Sequence, residues 1–279
     1  MAQVLKYLSW DDNDGAPGDN PLFPKKLRCI ISGASGCGKT LLATNMILQQ
    51  WVKFKKIYIV SGSMFQPIYQ VLKHGMENKI PLHIIHNIFE QKQDVIKSGR
   101  DISEVCELLG RDIANDRRSG AYAPWAIDKK LDIDIETYED PEDMPAMDQI
   151  PRDSLVLFDD LMTSKTGKKR AEDLFMKGRP LGINIIFITQ SYYELPRRTI
   201  RENANFLVLF KQNVKTIDHL FRDCVDPDMS KKEFLKFANT VWLKSKHEFI
   251  TIDKSSEVGE GKYRQGFSNI YIPTTTLPN

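Results

Sequence analysis

Residues 27–40 read Leu-Arg-Cys-Ile-Ile-Ser-Gly-Ala-Ser-Gly-Cys-Gly-Lys-Thr. An isoleucine-rich apolar run ends at a glycine turn, and a helix-forming segment over residues 41–51 follows without a break. The turn is Gly33, Ala34, Ser35, Gly36, Cys37, Gly38, Lys39 and Thr40, which fits the phosphate-binding spacing G-x-x-x-x-G-K-[ST]. Glycines let successive backbone N–H groups point into one concavity, and the following helix adds the positive end of its dipole. Lys39 is placed to reach β- and γ-phosphate oxygens, and the Thr40 hydroxyl to ligate Mg²⁺. A chance glycine turn would lack the strand before it and the helix after it. The expectation is therefore a P-loop with ATP and Mg²⁺ as its cofactors.

Working outward, 279 residues at 41% hydrophobic content can bury a core large enough for one α/β domain, or one domain with appendages. No apolar run approaches the roughly 18 residues that span a bilayer, and residues 1–10 lack the basic start of a secretory signal. Cys29, Cys37, Cys106 and Cys224 have no paired metal-ligand spacing, which favours reduced thiols. The net charge is +2, so the chain is not a polycation. Its charges are nonetheless segregated: residues 132–153 carry nine acids, and residues 165–201 carry nine Lys/Arg against three acids.

Periodicity predicts strands at 55–61 and 81–86, and helices at 65–74 and 102–113. Between 115 and 151 the pattern dissolves into Pro, Gly, Tyr and carboxylates. The expected organisation is a flexible acidic arm over 1–20 and an ATPase domain over 21–279. That domain would carry an insertion at 115–152 and a C-terminal β-hairpin at 245–273. The fold class expected is α/β, a P-loop ATPase with a mostly parallel central sheet flanked by helices.

Order returns at Ser154-Leu-Val-Leu-Phe-Asp-Asp160, a continuous apolar strand ending in two carboxylates, the Walker B signature. In a parallel sheet this strand end and the phosphate loop open into one crevice. Asp159 would hold Mg²⁺ through its water shell, and Asp160 would orient and polarise the attacking water. Lys165, Lys168, Lys169 and Arg170 then form an exposed basic loop, before a short helix over 170–177. A second buried strand at 183–189 ends in Gln190, whose amide can touch both the γ-phosphate and the lytic water. After a buried strand at 206–210, helices are expected at 215–224 and 230–240, the second opened by a Ser230/Glu233 capping box. Strands at 247–253 and 267–272 would make the terminal hairpin.

This ordered set, with Arg179 before the Gln190 strand and residues 196–205 after it, resembles the FtsK–HerA superfamily. The closest resemblance is to the packaging ATPases of double-jelly-roll DNA viruses, which include poxvirus-type, virophage and Polinton-like enzymes. It covers residues 27–210 or so. The resemblance implies a RecA-like fold, with a sheet in which the Gln190 strand lies between the P-loop and Walker B strands. It further implies a homo-oligomeric ring, pentamer or hexamer, around duplex DNA, with Arg179 or Arg201 supplying the arginine near the γ-phosphate, in cis or in trans.

Duplex DNA of any sequence calls for cations without base readers, a need that Lys165, Lys168, Lys169 and Arg170 suit; an ordinary solvated loop is the plainer alternative. The first function expected is an ATP-driven DNA translocase that fills a preformed capsid. It would have capsid or virion membrane proteins as partners and no transmembrane segment of its own. It would act in the host-cell cytoplasm or virus factory, with the virion a further location. The competing functions are a helicase or conjugation-type pump, and a nucleotide-gated virion assembly factor with little turnover.

Overall fold

The computed structural model describes residues 3–6, 20–78, 85, 133–161 and 165–274. Among the described residues ten strands form one sheet. In chain order they are β1 (Gln3–Lys6), β2 (Arg28–Ser32), β3 (Lys56–Ser61), β4 (Asp134–Tyr138), β5 (Ser154–Asp159), β6 (Asn184–Thr189), β7 (Phe206–Phe210), β8 (Phe249–Asp253), β9 (Tyr263–Gln265) and β10 (Asn269–Ile272). Across the sheet the order is β1-β10-β9-β8-β7-β2-β6-β5-β3-β4. The block from β7 to β4 is parallel, and β8, β9, β10 and β1 continue it antiparallel.

The central strands are continuous apolar runs because both of their faces are covered. Side chains alternate between the two faces. Leu155 and Leu157 pack into one core cluster with Met46, Ile47 and Leu72, while Val156 and Phe158 pack into another with Leu174, Phe175 and Phe234. Helices α1 (Lys39–Leu48) and α2 (Pro67–Glu77) contribute to the first cluster. Helices α3 (Lys165–Lys177), α4 (Val214–Leu220) and α5 (Lys231–Trp242) contribute to the second. The result is the expected α/β architecture of helix, sheet and helix layers, and the strand carrying Gln190 lies between the P-loop strand and the Walker B strand.

Several expectations change. Residues 134–138, placed in a stretch without regular structure, form edge strand β4, paired in parallel with β3. Its Ile135 and Thr137 alternate with Asp134 and Glu136, and Glu136 meets Lys56 at 2.5 Å. Carboxylates on an edge strand mask its β-pattern in sequence and discourage edge-to-edge pairing. Part of the arm expected to be free is strand β1, held by β10. The C-terminal antiparallel segment holds one strand more than a simple hairpin: β9 stands between β8 and β10, and it is β9 and β10 that form the closing hairpin.

The basic loop at 165–170 is the start of α3 instead. Burial of Ala171, Leu174 and Phe175 along one face outweighs the poor helix propensity of Gly167. Ser230 caps α5 as expected, its Oγ accepting the Glu233 amide at 3.2 Å. Of the strand expected at 81–86 only Ile85 is described, and it is helical. The helix expected at 102–113 lies outside the described residues.

Candidate nucleotide site

The C-terminal ends of β2, β5 and β6 open into one cleft of about 840 Å³. Its lining includes Ser35, Gly36, Cys37, Gly38, Lys39, Thr40, Asp159, Asp160 and Gln190, brought together from three separate stretches of chain. Gly33 and Ala34 contribute through their backbone: the Lys39 ammonium donates to the Gly33 carbonyl at 2.7 Å and to the Ala34 carbonyl at 2.9 Å. Lys39 is therefore folded onto its own loop and buried.

The loop's shape depends on its glycines. Gly36 and Gly38 have φ of 72° and 104°, a left-handed conformation that side chains disfavour. At Gly33 the constraint is space. A Cβ there would sit 2.6 Å from Cβ of Phe210 and 2.9 Å from Sγ of Cys37. The Gly33 amide donates to the Thr189 carbonyl at 3.2 Å, tying the loop to the end of β6.

The two Walker B carboxylates differ in environment. Asp159 is buried, and its Oδ2 accepts from the Thr40 hydroxyl at 3.2 Å and from the Tyr69 hydroxyl. Tyr69, the third residue of α2, is fully buried. Asp160 is exposed and has φ of 56°, a conformation that Asp tolerates better than most residues. Strain of this kind gathers at functional sites. Here it turns the chain sharply after the strand, so that consecutive carboxylates face one cleft. The hydroxyl of Thr40 and the carboxylate of Asp159 are hard oxygen donors within hydrogen-bonding distance of each other. That fits Mg²⁺, which takes one or two protein oxygens and completes its shell with phosphate and water.

Burial holds the Asp159 carboxyl above the usual carboxylate range; the hydroxyls of Tyr69 and Thr40 pull the other way, and the neighbouring Asp160 charge adds to the rise. A raised value means the folded state prefers the neutral acid. The associated stability is full below the unfolded pKa of about 4 and is lost as pH rises through the folded one. Asp159→Asn should therefore melt above the unaltered protein at pH 7 without metal or nucleotide, with the gap closing as pH falls towards 4. Thermal melts across that range test this, and a variant less stable than the parent at pH 7 would refute it.

The arginines lie elsewhere. Arg179 is exposed in the turn before β6, where the Gly182 carbonyl accepts the Asp153 amide and Gly182 approaches Lys26. Burial, with the Arg179 charge adding to it, lowers the pKa of Arg28 at the start of β2. Arg179 is thus at the N-terminal edge of the parallel strands, about 20 Å along β6 from the P-loop, at some 3.3 Å per residue. It is not among the residues that line the cleft of its own chain. Arg201, in the segment before β7, is buried, with Nη1 2.7 Å from Oδ2 of Asp223 and the guanidinium over the Tyr192 ring. In the single chain its guanidinium is thus engaged by Asp223.

Lys168 and Lys169 lie near the start of α3, and Lys169 is exposed. Arg170 instead donates to the Pro145 carbonyl and secures the segment before β5. The sequence reading missed Tyr69, Lys246, His247 and Phe249. The last three line the cleft from the approach to β8 and its first residue. The aromatic content around β8 was the only signal for any of them.

Among the described residues no helix is long and apolar enough to cross a membrane. No protein-family model matches the chain, and no curated relative matches it. Solved structures with some similarity include the genome packaging NTPase B204 from Sulfolobus turreted icosahedral virus 2 in complex with ATP-gammaS. It has 9% identity and a TM-score of 0.45, over 83% of this chain and 94% of that one. VirB4 of Thermoanaerobacter pseudethanolicus has 12% identity and a TM-score of 0.42, over 90% of each chain. The pCW3 conjugation coupling protein TcpA has 14% identity and a TM-score of 0.38, over 89% of this chain and 60% of that one. At these values the likenesses assign no function by themselves, and the chemistry of this chain rests on its own cleft.

Proposed function

We propose that this chain is an ATP-hydrolysing motor that moves duplex DNA without regard to sequence, working as a homo-oligomeric ring that fills a preformed viral capsid. The observation that carries the reading is the strand order β2-β6-β5, which sets Gln190 between the phosphate loop and the paired carboxylates.

Each side chain then has a part in the reaction. Lys39 leaves the carbonyls of Gly33 and Ala34 for the phosphate oxygens and offsets charge that builds on the transferred phosphoryl. Thr40 and Asp159 would hold Mg²⁺, which supplies charge neutralisation across the phosphates. Asp160 accepts the proton of the attacking water while the Gln190 amide positions that water, and ADP departs as the leaving group. Gln190 follows Thr189, whose carbonyl accepts the Gly33 amide, so the backbone that carries Gln190 is joined to the loop.

The DNA part of the reading rests on α3. Its first turn holds no acid and begins Lys-Thr-Gly-Lys-Lys-Arg, cations at a helix end that already carries partial positive charge. Phosphates laid there would relieve that repulsion. ATP turnover should rise several-fold with duplex DNA of any sequence. In Lys168→Ala/Lys169→Ala the stimulation should fall, and the slope of log affinity against log salt should drop by about two. Tight ATP binding with no DNA-stimulated turnover in the unaltered protein would overturn the motor reading in favour of a nucleotide-gated assembly factor.

A further inference from the structure

The cleft has two unlike walls. On the β5/β6 side of the phosphate loop stand Asp159, Asp160 and Gln190; on the β7/β8 side stand Phe210, Lys246, His247 and Phe249. A nucleotide held by its phosphates in the loop must place its terminal phosphate near Thr40 and Asp159, where the metal ligands are. The rest of the molecule then runs the other way, towards β7 and β8. We infer that this second wall is the nucleobase seat and that His247 is its stacking platform. The inference deepens the nucleotide-site reading above and rests on it.

His247 is built for that part. Its Nδ1 lies 3.0 Å from the Cys37 carbonyl. A carbonyl only accepts, so Nδ1 donates, and the ring is fixed against the loop. The same nitrogen would be 3.4 Å from a Cβ placed on Gly38, so the imidazole sits directly beside the last glycine of the loop. Phe210 and Phe249, their ring centroids 5.4 Å apart, give the wall an apolar floor. An aromatic surface of this kind binds any base through its π-face. Reading a base edge needs fixed, convergent donors and acceptors. Among the described residues, the polar side chains of this wall are an exposed lysine and one imidazole nitrogen, with Asn45 lining the same cleft from α1. The seat therefore selects ring area, taking adenine and guanine nearly alike and pyrimidines less well.

The test compares ATP with inorganic tripolyphosphate, which carries the phosphates and no base, in the full chain with Mg²⁺. His247→Ala should weaken ATP binding roughly tenfold and leave tripolyphosphate unchanged. His247→Tyr should keep most of the ATP affinity, and GTP should bind within about threefold of ATP. Equal losses for ATP and tripolyphosphate in His247→Ala would overturn the inference, since His247 would then only brace the loop through Cys37. Unchanged binding of both would overturn it too, as would a strong preference for one purine. Failure of the underlying site looks different: Lys39→Ala would bind tripolyphosphate as well as the unaltered protein does.

Discussion

Lys39→Ala should lower ATP turnover by roughly 10²–10³-fold, the scale for losing one group aimed at developing charge. The Lys39 ammonium emerges inside the loop, 2.7 and 2.9 Å from the carbonyls of Gly33 and Ala34, so it needs only a short swing to meet a phosphate. Lys246 also lines the cleft, but from the β8 side, and cannot replace it. The cost in stability should be moderate. The two lost bonds come from a charged donor and are worth about 1.5–3 kcal/mol each in net terms, offset in part because a buried ammonium no longer has to be desolvated and water in the open cleft can reach the carbonyls. Steady-state hydrolysis and a thermal melt, run side by side, separate the two effects. Turnover within about threefold of the parent would mean that the loop does not serve hydrolysis.

Arg201→Ala should act in the opposite way, on folding before chemistry. The substitution leaves Asp223 buried with its strongest partner gone, and breaking a buried pair from one side costs about 3–5 kcal/mol. Tyr192 and Arg197 still approach that carboxylate, at 3.3 and 3.5 Å, so the loss should fall at the lower end of the range. Removing both charges in Arg201→Met/Asp223→Leu should restore most of the stability, because no ion is then left stranded in the interior. Urea unfolding of the single and double variants reads this directly. A single variant as stable as the parent but with hydrolysis abolished would return Arg201 to the catalytic role that the sequence suggested.

The motifs were legible because each one sits where chain direction and burial coincide. Residues 28–32, 154–159 and 184–189 are unbroken apolar runs that can only be interior strands, and the residue after each must stand at the mouth of the sheet. Arg179 and Arg201 were harder, since a motif reading places residues by family pattern and not by which end of a strand they precede. The start of α3 was misread because Gly167 and four cations argue for a loop locally, while the apolar stripe that decides for helix lies further along. Tyr69 could not have been found. Nothing in a sequence says that a tyrosine in one helix meets a carboxylate 90 positions later. His247 is similar, joined to Cys37 across 210 residues by a single contact.

The placement of Arg179 has a consequence for symmetry. The phosphate loop faces one edge of the parallel block and Arg179 the other, so the subunit is polar from end to end. A twofold dimer could bring Arg179 of one copy to the phosphate loop of the other only with the two copies side by side and antiparallel, each serving the other. An Arg179 guanidinium that does meet a terminal phosphate therefore belongs to another copy, across such a reciprocal pair or joined head to tail. A head-to-tail interface has two different halves, and repeating it either closes into a ring or continues as a helical filament, according to the angle between neighbours.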